Sequence, residues 1–227
     1  TDAKMRNTKE SILEAQFTSG AGNWCTWMFG RDLVNWNNNF TWAKWVTPSR
    51  DLISAFKQEG DEVRFKESIV YYDCNWSNYY PSDNYPFMYK CRSANSSIIK
   101  YRYADVLLLK AEALIMQDTP DLEGAADIID KVRDRAKLGA LPTSVRSNKN
   151  VLLNALLKER RLELAFEGQR WFDLVRLDKV EEVMNAVYSK DSGRKAQIYT
   201  FDKNSYRLPI PQSVIDANDK IHQNPGY

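Results

Sequence analysis

The stretch VLLNALLKERRLELAFEGQRWFDLVRL, residues 151–177, decides the fold predicted for this chain. Its apolar residues fall mostly three or four positions apart, at Leu152, Leu153, Leu156, Leu157, Leu164, Ala165 and Phe166. That spacing is typical of a helix with one apolar face to bury. We therefore expect a central helix here, with Gly168 bending or ending it and a second helix from 169 to 177.

The same stretch carries a dense set of charges. Glu159, Glu163 and Glu167 are four residues apart, so a continuous helix would place them along one side, where like charges repel weakly. Stacked carboxylates need nearby cations, and arginine suits the role because its planar fork binds a carboxylate through two hydrogen bonds. The nearest candidates are four arginines of the same stretch, Arg160, Arg161, Arg170 and Arg176. The pattern predicts ion pairs that fix how neighbouring helices dock.

Three ordered motifs carry a family resemblance. Residues 159–176, ERRLELAFEGQRWFDLVR, resemble the signature of the SusD/RagB family. Residues 101–114, YRYADVLLLKAEAL, agree with it upstream, and residues 206–212, YRLPIPQ, agree near the end, before the closing QNPGY at 223–227. The resemblance is strong over roughly the second half of the chain and loose over the first hundred residues.

Two long helices are predicted before the central one. Residues 98–116 are nearly apolar, so we expect one deeply buried helix. Thr119 and Pro120 are typical of a helix start, and residues 122–136 follow with apolar residues at helical spacing. Two helices joined by a short turn form a hairpin that resembles one tetratricopeptide-type repeat. The predicted fold is mainly α, with tetratricopeptide-like helical hairpins, long irregular loops and a few short strands.

The first 97 residues differ in kind. They hold six of the seven tryptophans and are rich in Asn, Ser, Asp and Gly. We expect short strands at 12–17 and 69–72, a helix over 48–57 ended by Gly60, and a turn at 61–64. Residues 74–91 are expected to form a loop, because Pro81 and Pro86 oppose regular strand pairing.

These patterns divide the chain into three regions. They are an aromatic-rich, ligand-facing loop region at 1–97, a helical core at 98–188 and an extended tail at 189–227. We expect them to form one domain. The resemblance implies that this domain is the C-terminal part of a longer, exported lipoprotein.

Composition excludes several classes of function. The net charge of +2 gives no electrostatic case for nucleic acid or anionic lipid. No run of eighteen apolar residues is present, so no membrane-spanning helix is predicted. His222 is the only histidine, which argues against most zinc sites and histidine-based triads, so we predict no metal and no cofactor. Cys74 and Cys91 could form a disulfide, but free thiols at all three cysteines fit equally well.

Aromatic side chains in polar loops are the candidate ligand contacts. The flat C–H face of a sugar ring stacks on Trp or Tyr, while neighbouring amides and carboxylates bind its hydroxyls. The alternative is that these aromatics only pack the loops onto the helices. We prefer as contacts the five in the most polar surroundings, which are Trp36, Trp42, Trp76, Tyr79 and Tyr80.

Paired carboxylates offer a second hypothesis. On a helix, Glu163 and Glu167 would have Cβ atoms about 5–6 Å apart, close to the carboxyl separation of a retaining glycosidase. A general acid needs a raised pKa, however, and nearby arginines would lower it. We therefore expect ion pairs here, with a helical glycoside hydrolase using Glu163 and Glu167 as the alternative function. A scaffold that binds only protein is a third possibility.

The resemblance implies a non-catalytic function. Proteins of the SusD/RagB family are surface lipoproteins of the outer membrane, held by an N-terminal lipid anchor. They capture oligosaccharides, or sometimes peptides, for a SusC-like TonB-dependent transporter. The expectation is a glycan-binding, nutrient-capturing protein with an oligosaccharide ligand and such a transporter as partners, and no enzymatic activity.

Overall fold

The computed structural model describes residues 7–17, 47–74, 77–90, 97–190 and 200–227. The chain divides into two compact units, Thr1–Arg170 and Trp171–Tyr227, each described here by itself. In chain order the elements are β1 Ser11–Ala15, α1 Arg50–Glu59, α2 Glu62–Ser68, β2 Ile69–Tyr72, β3 Tyr85–Met88, β4 Ile98–Arg102, α3 Tyr103–Met116, α4 Leu122–Arg135, α5 Thr143–Arg146, α6 Lys149–Glu163, α7 Arg170–Arg176, α8 Val180–Lys190 and α9 Gln212–Asp216. A 3-10 turn at Lys203–Tyr206 precedes α9. No helix in these described segments is long and apolar enough to cross a membrane.

The main core of the first unit lies between α3, α4 and α6. It is built from nine buried residues, Leu108, Ala111, Ile115, Ala125, Ala126, Ile129, Val132, Leu152 and Leu156. The three alanines allow the helices to approach closely, and the longer side chains fill the space between them. This packing confirms the predicted fold class, since the structure is mainly helical and α3 and α4 form the expected hairpin.

The apolar run 98–116 is only partly helical. Residues 98–102 form strand β4, which pairs antiparallel with β1, and the helix begins at Tyr103. The predicted single helix was wrong because a short apolar run suits a strand as well as a buried helix. Deep burial was expected along the whole run, but the structure buries one side of it and leaves Ile99 36%, Tyr101 52% and Val106 41% exposed.

The ends of the long helices differ from the prediction. Asp121, not Thr119, caps α4, and its carboxylate accepts a hydrogen bond from the Gly124 amide at 2.9 Å. Helix α6 ends at Glu163, five residues before Gly168. Phe166 and Gly168 both adopt positive φ, at 66° and 80°, so the chain turns twice there. Glu167 therefore lies in a turn and not on the helix.

The segment after α1 is more regular than predicted. Helix α1 is confirmed, with Ser49 as its cap and Gly60, at φ 69°, ending it. Residues 62–68 form helix α2 where a turn was expected, because the Asp61 carboxylate caps it by accepting a bond from the Arg64 amide at 3.1 Å.

Strand β3 corrects the prediction of a loop over 74–91. It pairs antiparallel with β2, and Pro86 lies opposite Tyr71. Proline is tolerated because, among the described residues, this sheet consists of β2 and β3 alone, so each strand keeps an edge that needs no hydrogen bond.

The second unit holds α8, the 3-10 turn and α9. Helix α8 runs from Val180 to Lys190. The Asn185 side chain donates to the Phe201 carbonyl and accepts from its amide, both at 2.9 Å. The Gln223 side chain bonds the backbone of Ile210 in the same two-way manner, at 2.8 and 2.9 Å. These side-chain bonds take the place of a strand ladder in the tail.

Candidate functional site

A cavity of about 790 Å³ lies where the start of α1 meets the connection between β2 and β3. Its described lining consists of Arg50, Cys74 and residues 77–82. Cys74, Tyr85 and Phe87 form a buried cluster in the β2–β3 region, with Tyr79 and Tyr80 packed against it. The start of α1 and a loop that packs against this cluster thus shape a concave polar surface.

Hydrogen bonds fix the loop that lines this cavity. The Cys74 amide donates to the Ser82 carbonyl at 2.6 Å, and the Asn84 amide donates to the Pro81 carbonyl at 3.3 Å. The Tyr85 hydroxyl lies 3.1 Å from the Ser77 hydroxyl. The loop is thereby tied at several points, so its side chains are held in defined positions.

Arg50 joins the two tyrosines of the lining. Its guanidinium carbon lies 4.3 Å from the ring centroids of both Tyr79 and Tyr80, a cation–π arrangement, and Nη2 donates to the Tyr79 carbonyl. The two rings meet edge to face with centroids 5.0 Å apart, and the Tyr80 hydroxyl donates to the Pro48 carbonyl at 2.7 Å. The guanidinium carbon and the two ring centroids form a triangle with sides of 4.3, 4.3 and 5.0 Å, so both rings lie on one side of the guanidinium.

The cavity brings together groups that suit a polyhydroxylated ligand. Tyrosine rings offer apolar surface, and Ser77, Asn78 and Ser82 offer hydroxyl and amide groups. Asn78 and Ser82 are exposed. Such a mixture of aromatic surface and neutral donors and acceptors provides both stacking and hydrogen bonding to one ligand.

Two of the five predicted contacts fall in this cavity. Tyr79 and Tyr80 are half-buried and adjacent, whereas Trp36, Trp42 and Trp76 lie outside the described residues and stay predictions. Sequence reasoning missed Arg50. The available signal was a cation directly after the Pro48–Ser49 helix start, where the helix dipole disfavours positive charge.

The paired carboxylates form a separate, buried ion-pair lattice. Glu163 is 2% exposed; its Oε1 accepts from Arg102 at 2.7 Å and from Arg135, and its Oε2 lies 3.2 Å from Arg64. Glu159, also 2% exposed, accepts from Arg64 at 2.6 Å. Every partner named here comes from another element, so the lattice joins α2, β4 and α4 to α6.

Glu167 belongs to the same lattice although it lies beyond the helix. Arg102 donates to both of its oxygens, at 2.7 and 3.0 Å, and Lys90 reaches it at 3.0 Å. Arg102 also binds Glu10 of the segment before β1 at 2.9 Å. The same Glu10 carboxylate accepts from the Ala104 amide at 3.1 Å, so it also satisfies the start of α3.

The four arginines of the same stretch were predicted to pair with Glu159, Glu163 and Glu167, and the structure gives these arginines other partners. Arg160 pairs with Asp105 at 2.8 Å and Arg161 with Asp51 at 2.6 Å. Arg170 donates to the Leu157 carbonyl, and Arg176 pairs with Asp173 at 2.9 Å. Successive residues on a helix point in different directions, so these arginines bind other partners while distant arginines reach the three glutamates.

The charges around Glu163 oppose general-acid chemistry. Burial alone would raise the pKa of Glu163, but Arg102 and Arg135 outweigh burial and lower it to about 2. Burial raises the pKa of Glu159 instead, against the opposing charge of Arg64. A general acid must carry its proton near the working pH, and Glu163 does not.

The low pKa of Glu163 predicts acid sensitivity. The unfolded chain binds the proton more tightly, so the stabilisation is fully present above about pH 5 and is lost as the pH falls towards 2. The shift from 4.5 to about 2 corresponds to roughly 3 kcal/mol. Urea unfolding at steps from pH 6 to pH 2 should show a shallower decline in Glu163→Gln than in the wild type.

The matched control for this measurement is Glu62→Gln. Glu62 is 67% exposed and pairs only loosely with Lys66 on the same helix, at 3.4 Å. Its replacement should leave the wild-type pH dependence unchanged. Equal slopes for Glu163→Gln and the wild type would show that Glu163 does not carry the effect.

Other candidate chemistry is sparse. Cys74 is a buried free thiol, whereas Cys25 and Cys91 lie outside the described residues. Within the segments that the structure describes, no cluster of three His, Cys, Asp or Glu side chains could hold a metal ion.

Known proteins resemble this chain in sequence and in fold. The sequence model of the SusD family matches residues 88–227. SusD-like protein P2 of Formosa agariphila is 36% identical over 143 residues, which are 60% of this chain and 27% of the relative. A SusD superfamily protein from Bacteroides vulgatus superposes with a TM-score of 0.71 at 20% identity, covering 100% of this chain and 53% of that one.

A third similar protein is named for the ligand that it binds. A structure named as a laminarin-binding SusD-like protein superposes with a TM-score of 0.63 at 25% identity, covering 99% of this chain and 51% of that one. The chain thus spans between about a quarter and about half of the length of these relatives. The family match covers more than half of the chain and includes the motifs at 101–114, 159–176 and 206–212, and the protein therefore belongs to the SusD family.

Proposed function

We propose that this protein is a non-catalytic, glycan-binding component of a TonB-dependent uptake system for polysaccharides or oligosaccharides. In this role it captures the ligand at the cell surface and delivers it to a SusC-like transporter. The proposal includes the location that family membership suggests, which is the outer membrane, with attachment through an N-terminal lipid anchor.

One observation carries the binding function: the cavity around Arg50, Tyr79 and Tyr80 in a chain of this family. Its tyrosine rings, hydroxyls and amide match the surface of a sugar, which has both C–H faces and hydroxyl groups. The laminarin-binding relative supports a carbohydrate as the ligand class.

The carboxylates support the non-catalytic part of the proposal. Glu163 is buried and held ionised by three arginines, and Glu167 is bound by Arg102 and Lys90. An ionised Glu163 cannot serve as the protonated acid that glycosidic cleavage needs. We expect no release of reducing sugar from any glycan that the protein binds.

Replacing Tyr79 with alanine is expected to lower glycan affinity about tenfold, because one stacking surface is removed. A glycan array probed with the full-length protein would select the ligand, and affinity gel electrophoresis would then compare the variants. Combined Trp36→Ala and Trp76→Ala should also weaken retention without a large change in melting temperature.

Tyr103→Ala is the control for this comparison. Tyr103 is 51% exposed and does not line the cavity, so its replacement removes the same side chain from elsewhere in the first unit. Its affinity should equal that of the wild type. Absence of any glycan retention by the wild type would overturn the proposal and favour a protein-binding scaffold.

A further inference from the structure

We propose that Arg50 is a positioning residue of the glycan site, which raises glycan affinity by holding Tyr79 and Tyr80 in place and not by contacting the sugar. This inference rests on the proposed glycan-binding function and assigns different roles to residues that line the same cavity. It follows from the contacts that the guanidinium already makes, from the place of Arg50 on its helix and from the way the two tyrosines are attached to the start of α1.

The guanidinium of Arg50 is engaged by both tyrosines. Its central carbon lies 4.3 Å from each ring centroid, and the two ring planes meet at 85°. The cation therefore lies in the angle between the rings, and its Nη2 donates to the Tyr79 carbonyl. A cation over two ring faces is attracted by both, so these contacts favour one arrangement of the three side chains.

Arg50 connects two segments that are distant in the sequence. It is the first residue of α1, whereas Tyr79 and Tyr80 belong to the connection between β2 and β3. The start of a helix carries the positive end of its dipole, where a cation is disfavoured. Arg50 therefore gains no stabilisation from the dipole of α1, and the electron-rich ring faces and the carbonyl oxygen offset its unfavourable place there.

The two tyrosines depend on Arg50 to different degrees. Tyr80 has further anchors, because its hydroxyl donates to the Pro48 carbonyl at 2.7 Å and its ring meets that of Tyr85 edge to face, with centroids 5.6 Å apart. Arg50 binds Tyr79 through two groups, which are the ring and the backbone carbonyl. Loss of Arg50 should therefore change the position of Tyr79 more than that of Tyr80.

A ring that is held in place before the sugar arrives loses less conformational entropy on binding. Arg50→Met removes the charge and the donors of the guanidinium but keeps a long, unbranched side chain. This change should lower glycan affinity about fivefold, because the Tyr79 ring must then be ordered by the sugar itself. Arg50→Lys keeps a cation beside the rings and should lower affinity by about twofold or less.

Calorimetry with the full-length protein measures these changes. The probe is laminarihexaose, because one similar protein is named for laminarin binding. The oligosaccharide that the glycan array selects replaces it where laminarihexaose is not bound. The control is Lys110→Met, which removes a cation from an exposed position outside the described lining and should bind as the wild type does.

A double-mutant cycle with Tyr79→Ala separates positioning from direct contact. If Arg50 acts through the tyrosine, Arg50→Met should change the affinity of the Tyr79→Ala variant by less than about twofold. A loss of the same size in the presence and in the absence of Tyr79 would mean that Arg50 contacts the sugar itself. That result would overturn the positioning role.

Hydrogen exchange of the ligand-free protein gives a second measurement. The Tyr79 amide donates to the Ser77 hydroxyl at 3.3 Å within the loop that lines the cavity. Arg50→Met should speed the exchange of amides over residues 77–82 about tenfold, since the loop loses a tie to α1. The melting temperature should change little, because the same variant removes a cation from a helix start. Unchanged exchange over this loop would contradict the proposal.

Failure of this inference can be told from failure of the proposed function. Glycan binding that Arg50→Met leaves unchanged overturns the positioning role but leaves glycan binding established. Absence of binding to laminarihexaose and to every glycan of the array overturns the proposed function, and the inference with it.

Discussion

Replacing Arg102 with leucine is expected to lower the free energy of unfolding by about 3–5 kcal/mol. Arg102 is 8% exposed and donates to Glu163 at 2.7 Å, to Glu167 at 2.7 Å and to Glu10 at 2.9 Å. It also donates to the Glu163 carbonyl at 2.9 Å. Without it, a buried carboxylate and a buried carbonyl lose a donor, and removing one partner of a buried pair costs far more than the pair contributes.

Chemical denaturation at pH 7 would measure this loss, with Arg146→Leu as the control. Arg146 also binds several carboxylates, but Glu123 and Asp127 among them are 71% and 68% exposed. Water can solvate those partners after the change, so the expected loss is about 1 kcal/mol or less. Equal losses for the two variants would show that burial of the lattice does not determine its contribution.

Truncating Leu156 to alanine is expected to lower the free energy of unfolding by about 2–5 kcal/mol. Leu156 is fully buried in the core between α3, α4 and α6. The change removes apolar contacts and leaves a cavity between helices whose positions are also fixed by ion pairs. These helices have little freedom to close around the smaller side chain, so the loss of stability should include both the lost apolar contacts and the unfilled cavity.

The matched control for Leu156 lies on the same helix. Val151 is 43% exposed, and Val151→Ala should change the free energy of unfolding by no more than about 0.5 kcal/mol. Urea titration with fluorescence detection would compare the two variants. A loss below 1 kcal/mol for Leu156→Ala would show that the predicted core does not hold the helices together.

The helical hairpin could be predicted because its information is local. Apolar residues at Ala125, Ile129 and Val132 repeat at helical spacing, and the structure buries all three. Residues 98–102 were assigned wrongly because their pairing partner is β1, more than eighty residues earlier, which no local pattern reveals. The loop predicted around Pro86 was wrong for a similar reason, since a proline fits an edge strand and the edge position of a strand depends on the whole sheet.

The charged and aromatic sites show the same limit. The sequence predicted that Glu159 and Glu163 are ion-paired, but their partner Arg64 lies 95 and 99 residues away. Tyr79 and Tyr80 could be proposed from their polar surroundings, and both do line the cavity. Arg50 was missed, because its place at a helix start does not reveal that it contacts Tyr79 and Tyr80, which lie about thirty residues later in the sequence. Trp36, Trp42 and Trp76 stay predictions.

The ion-pair lattice also constrains the order in which the polypeptide can acquire its structure during synthesis. Its contacts from Glu163 to Arg102 and to Arg64 span 61 and 99 residues along the chain. Contacts of such high sequence separation form slowly, since a long loop must close before they can contribute. Arg64 and Arg102 leave the ribosome well before Glu163 and Glu167, so consolidation of this region must wait until α6 and the turn after it have emerged.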